Sequence, residues 1–108
     1  MNIFKIIRTE LETVLSSIES EKGYNFDTKN ITVEPPRDEK HGCMSTNSAM
    51  VLSRQAGINP RNLAEMIVEK LQKSDFVASA EIAGPGFINI RLNKNIWFDV
   101  LSSILSQP

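Results

Sequence analysis

Phe76-Val77-Ala78-Ser79-Ala80-Glu81-Ile82-Ala83-Gly84-Pro85-Gly86-Phe87-Ile88-Asn89-Ile90-Arg91-Leu92 reads as two β-rich runs, Phe76 to Ala83 and Phe87 to Leu92, around a glycine-proline-glycine turn. Two such runs predict an antiparallel hairpin. Side chains alternate along a strand, so Ile88, Ile90 and Leu92 share one face of the second run while Phe87, Asn89 and Arg91 share the other. The apolar trio needs a covering layer, and the remaining sequence supplies helices for it.

Phe4, Ile7, Leu11, Val14, Leu15 and Ile18 recur at helical spacing, opposite Arg8, Glu12, Ser16 and Glu19, which predicts a surface helix over roughly 2–20. Ile31-Thr32-Val33-Glu34 alternates as a half-buried strand before Pro35-Pro36 forbids further ladder bonds. The charged stretch from Arg37 to Ser45 is expected to be a loop, with Ser45 or Thr46 capping a helix over 47–56. Gly57 suits a left-handed C-cap, and Asn59-Pro60 supplies a cap and first-turn proline for a third helix over about 60–73. In that helix Leu63, Ala64, Ile67, Val68 and Leu71 form the buried stripe. Asn93, Ile96, Asp99, Val100, Leu101, Ile104 and Leu105 predict a closing helix. The order predicts a two-layer α+β domain, with an antiparallel sheet of 3–4 strands and helices packed on one face.

With 108 residues the chain suits one domain, residues 1–108, and its 41% hydrophobic and 23% charged residues are ordinary globular usage. No segment approaches the ~20 apolar residues that span a bilayer, and Lys5, Arg8 and Glu10 interrupt any signal-peptide core. A soluble, cytoplasmic protein without a membrane partner is expected. The single cysteine, Cys43, excludes an internal disulfide and a multi-cysteine zinc site. Twelve basic against thirteen acidic residues exclude a general electrostatic trap for nucleic acid, so any polyanion is met locally and no DNA partner is expected.

The outward row of the last strand spaces a ring, a carboxamide and a guanidinium about 7 Å apart, twice the strand rise. A ring stacks on an unpaired base for ~1–3 kcal/mol, an amide matches a base edge with donor and acceptor, and Arg forks onto phosphate. Single-stranded RNA offers such bases. Periodicity alone favours the plainer reading, with Phe87 a cross-strand packing residue and Asn89 and Arg91 solvated.

Three stretches, Glu81 to Ile90 with its Ala-Gly-Pro-Gly-Phe-Ile-Asn run, Gly42-Cys43-Met44-Ser45-Thr46-Asn47, and Asn59-Pro60-Arg61-Asn62-Leu63-Ala64, resemble the N-terminal additional domain of bacterial arginyl-tRNA synthetases. The resemblance covers essentially the whole chain. It implies a domain that precedes a catalytic domain and touches the D-loop at the elbow of arginine-specific tRNA, positioning it for ATP-dependent attachment of arginine. The family pattern sets an aromatic and an Asn, two apart, against a D-loop base; those positions are Phe87 and Asn89, and Arg91 extends the row. Cys43 stands where the family's loop usually carries an acidic residue, while Asn47 matches and is expected to satisfy backbone groups near the loop.

Family enzymes carry a His-Ile-Gly-His-type signature for ATP, and this chain has one histidine, His41. No catalytic residues and no cofactor are therefore expected within it. ATP, Mg2+ and arginine belong to the parent enzyme, of which the chain reads as an N-terminal piece with the catalytic domain in cis. His41 and Cys43 fall short of a nucleophile pair or a zinc ligand set, so no metal site is expected. Arg37 and Lys40 suit phosphate contact or a solvated loop balanced by Asp38 and Glu39, and Met44, Met50 and Met66 suit core filling. Trp97 beside Phe98 fits core packing or docking on the neighbouring domain. A different class of function, a protein–protein interaction module with no tRNA contact, fits the same open face.

Overall fold

The computed structural model describes residues 3–34 and 43–93. The elements are α1 (Ile3–Lys22), β1 (Val33–Glu34), β2 (Cys43–Thr46), α2 (Ser48–Ala56), α3 (Pro60–Leu71), β3 (Val77–Ala83) and β4 (Phe87–Leu92). The four strands form one antiparallel sheet in the order β1-β2-β4-β3, at the upper end of the expected strand number. The expected closing helix, the loop residues Arg37, Lys40 and His41, and the Trp97-Phe98 pair lie outside the described residues.

In α1, Ile7, Leu11, Leu15 and Ile18 are essentially inaccessible while Glu12 and Ser16 are exposed, as the helical period requires. The helix ends at Gly23, whose φ of 72° is a left-handed setting open to glycine. The α2–α3 corner follows its local chemistry. Gly57 adopts the left-handed C-cap (φ 70°), and the Asn59 side chain accepts the Arg61 N–H at 2.8 Å ahead of Pro60. Leu63, Ala64, Ile67 and Leu71 are buried, and each large aliphatic side chain so placed contributes about 1.5–3 kcal/mol.

One strand was not expected. Residues 43–46 form β2 between β1 and β4, where the sequence suggested the end of a charged loop; Met44 pairs with Ile90 and Thr46 with Ile88, and all four are buried. The Thr46 hydroxyl still serves the following helix, accepting the Ser48 N–H at 3.2 Å. Other differences are one or two residues at element ends: α1 reaches Lys22, α3 ends at Leu71, and β1 begins at Val33, with Ile31 buried just before it.

Pairing Val77 with Leu92 but Ser79 with Arg91 makes Ala78 the extra residue of a β-bulge. The bulge resets the alternation of β3, so Val77 and Ala80 both point into the core although they are three apart. Without that shift Ser79 and Glu81 would face the helices.

Candidate nucleic-acid interface

β4 lies between β2 and β3, and its residues alternate without a break from exposed Phe87 to buried Leu92. Ile88, Ile90 and Leu92 retain at most 2% of their accessible surface, whereas Asn89 and Arg91 are exposed and Phe87 keeps 38%. All three described helices therefore cover one side of the sheet, and among the described residues no element covers the other. The structure brings Phe87, Asn89 and Arg91 together as one outward row. None of their side chains forms a hydrogen bond, ion pair or ring contact among the described residues. An aromatic plane held in water by neither a core nor a partner ring is available for stacking.

Neighbouring strands extend the row sideways. Asn89 stands opposite Ser45 on β2 and Glu81 on β3, Ser45 stands opposite Glu34 on β1, and Arg91 stands between Cys43 and Ser79. Directly opposed residues place their Cβ atoms about 4.5–5.5 Å apart on the same face. Among the described residues the open face thus carries a ring, an amide, the Arg91 cation and the carboxylates of Glu34 and Glu81.

The turn before Phe87 is fixed from behind. Gly86 adopts φ 136°, its carbonyl accepts the Met50 N–H at 3.2 Å, and a Cβ on it would meet Pro60 Cβ at 3.1 Å and Met50 Cβ at 3.2 Å. The positive φ favours glycine, and any larger residue would also press on the α2–α3 corner. The start of β4, and Phe87 with it, is tied to the helical layer.

Asn47 is occupied with structure. Its Oδ1 accepts the Thr32 N–H at 2.7 Å and its Nδ2 reaches the Asn30 carbonyl at 3.5 Å, joining the approach to β1 to the start of α2. Sequence reasoning missed a second such joint: Arg8, assigned to the polar side of α1, donates to the carbonyls of Ile31 (3.0 Å) and Thr28 (3.1 Å) as well as pairing with Glu12. Met44 is buried and Met66 packs half-buried against the core, in keeping with gap filling, while Met50 is half-buried beside the Gly86 turn. Among the described residues no cluster of three or more His, Cys, Asp or Glu could hold a metal, and no helix is long and apolar enough to cross a membrane.

Among the described residues these features define a small two-layer α+β domain with helices on one side of the sheet and an outward row of a ring, a carboxamide and a guanidinium on the other. The sequence profile of the family described as "Arginyl tRNA synthetase N terminal domain" matches residues 2–92. The chain is 47% identical to the arginine–tRNA ligase of Bartonella henselae, aligning 99% of its own length with 19% of that protein. It is 46% identical to those of Paracoccus denitrificans (99% of this chain, 19% of the relative) and Rhizobium meliloti (96% and 18%). The chain belongs to the arginyl-tRNA synthetase N-terminal domain family, and it spans about a fifth of the length of these relatives.

Proposed function

We propose that residues 1–108 are the N-terminal domain of an arginine–tRNA ligase, and that the domain holds the elbow of arginine-specific tRNA while a catalytic part of the same protein attaches arginine. In this reading Phe87 stacks on an unpaired D-loop base, Asn89 pairs with that base's edge, and Arg91 meets a neighbouring phosphate. The observation that carries it is the outward row itself, three side chains of complementary type with no partner among the described residues. ATP, with Mg2+, and arginine are consumed by the catalytic part, and the domain takes no step in that chemistry. The cytoplasm is the compartment in which such an enzyme meets tRNA.

A domain with a net charge of −1 adds a few contacts instead of a large electrostatic attraction, so it contributes orientation more than affinity, with a shallow salt dependence. Footprinting of the parent synthetase on its tRNA tests the reading. Deleting this domain is expected to remove protection from the D-loop. Unaltered protection would replace the proposal with the other use of a bare sheet face, docking on another protein.

A further inference from the structure

We infer that Arg54 and Arg61, at the α2–α3 corner, meet phosphates of the RNA strand that passes the Phe87 end of the sheet. The inference rests on the tRNA reading above and adds a second contact surface to it, one that senses backbone charge and not base identity.

Two residues of the helical layer touch the turn that launches β4. Met50 donates its N–H to the Gly86 carbonyl at 3.2 Å, and the Cβ atoms of Pro60 and Met50 lie 3.1 and 3.2 Å from where a Cβ on Gly86 would sit. Each leads to an exposed arginine. Arg61 directly follows Pro60, and chain geometry holds its Cα within about 14 Å of the Phe87 Cα. Arg54 comes four residues after Met50 in α2, on the same helical face and about one turn further along.

Both guanidiniums are available to an anion. Arg54 forms no ion pair among the described residues. Arg61 keeps 69% of its side-chain surface and faces Glu65 at 3.8 Å, a loose exposed pair that a phosphate can displace. From Asn47 to Ala64 the sequence holds these two cations and no carboxylate. Gln55 ties the backbone of Asp27 to α2 at 2.7 and 2.9 Å, but the Asp27 carboxylate accepts the Lys29 N–H and leaves Arg54 unpaired.

A base stacked on Phe87 carries a phosphate on each side along its strand. Arg91 stands toward the far end of β4, and at the near end the residue facing Phe87 across the β3–β4 ladder is the uncharged Ala83. The corner supplies positive charge at that end, where an extended arginine, a ribose and a stacked base together span the separation. Arginine forks onto phosphate oxygens whatever the sequence, so the contribution is read as salt dependence. Each neutralised phosphate adds about 0.7–0.9 to the slope of log affinity against log salt.

The test uses the full-length parent synthetase and its native arginine-accepting tRNA, with binding followed across a salt series and KM for tRNA measured at low salt. Replacing both residues, Arg54→Gln with Arg61→Gln, is expected to flatten the slope by roughly 1.4–1.8 and to raise KM for tRNA about fivefold or more. Arginine-dependent adenylate chemistry and melting temperature stay native, since both positions are exposed. The paired variant Arg54→Lys with Arg61→Lys keeps the charges and should hold the native slope; loss of slope there too would remove charge as the cause and overturn the inference. A Phe87→Ala enzyme run alongside separates the two levels of the reading. If Phe87→Ala raises KM for tRNA while the glutamine pair keeps the native slope, the inference is overturned and the tRNA reading stands. If the glutamine pair alters adenylate chemistry and not the slope, the arginines face an acidic surface of the catalytic part, which also overturns it. If Phe87→Ala changes nothing, the tRNA reading falls and the inference falls with it.

Discussion

The carbonyl of Gly86 accepts the backbone N–H of Met50 at 3.2 Å, so the hairpin turn that launches β4 also completes the first turn of α2. An early N–H of a helix has no partner within the helix, and here the partner comes from the strand pair that carries the candidate site. The row that begins at Phe87 is therefore aimed by the helical layer.

Replacing Gly86 tests that coupling. Gly86→Ala forces a side chain into φ 136° and against Pro60 and Met50, and it should cost about 2–4 kcal/mol by thermal unfolding, combining backbone strain with overpacking. Gly84 has φ 61° but open space around it, so Gly84→Ala meets the strain alone and should cost about 1–2 kcal/mol. Equal melting temperatures for the two variants would show that the contact with the α2–α3 corner is unimportant.

Asn47 joins two segments of the chain through its side-chain amide. Asn47→Ala deprives the Thr32 N–H of its 2.7 Å acceptor and, at this exposed position, should lower stability by about 0.5–1.5 kcal/mol. Asn47→Asp keeps that acceptor oxygen and should recover most of the loss in the same unfolding experiment. Failure of Asp to restore stability would locate the importance of Asn47 elsewhere.

The tie between α1 and α3 carries a pH signature. Lys70 Nζ lies 2.9 Å from Glu21 Oε1, and its hydrogen bond, followed by its charge, holds the Glu21 carboxyl below the usual value of 4.5. A carboxyl whose pKa is lower folded than unfolded stabilises above its unfolded pKa and loses that contribution as pH falls through the folded value. The stability difference between the native protein and Glu21→Gln should stay level from about pH 7 to about pH 5 and shrink as pH falls below 4.5. Chemical denaturation at a series of pH values reads this directly, and a difference that grows on acidification would contradict the pairing.

The sequence made the hairpin, α1 and the α2–α3 corner legible because each is written locally, in a strand or helical period and in glycine, proline and asparagine at their stops. The outward position of Phe87, Asn89 and Arg91 followed from alternation along one strand. β2 was not legible: Cys43 to Thr46 is four residues long, and its extended form is set by partners on β1 and β4 distant in the chain. The bulge at Ala78 was hidden for a related reason, since small alternating Ala and Ser residues fix no register by themselves. It decides that Glu81 joins the open face. Arg8 looked like a solvated helix residue because the carbonyls it binds carry no side-chain signature.

The claim on which the functional reading depends is that Phe87 and Asn89 hold a tRNA base without taking part in arginine activation. The most direct measurement is steady-state kinetics of the parent synthetase carrying Phe87→Ala or Asn89→Ala, with aminoacylation and arginine-dependent adenylate chemistry followed separately. Loss of one base-stacking contact of ~1–3 kcal/mol should raise KM for tRNA by roughly 5- to 150-fold in the Phe87→Ala enzyme, with a smaller rise for Asn89→Ala. Adenylate chemistry should remain at the native level in both. Native tRNA kinetics in both variants would contradict the claim.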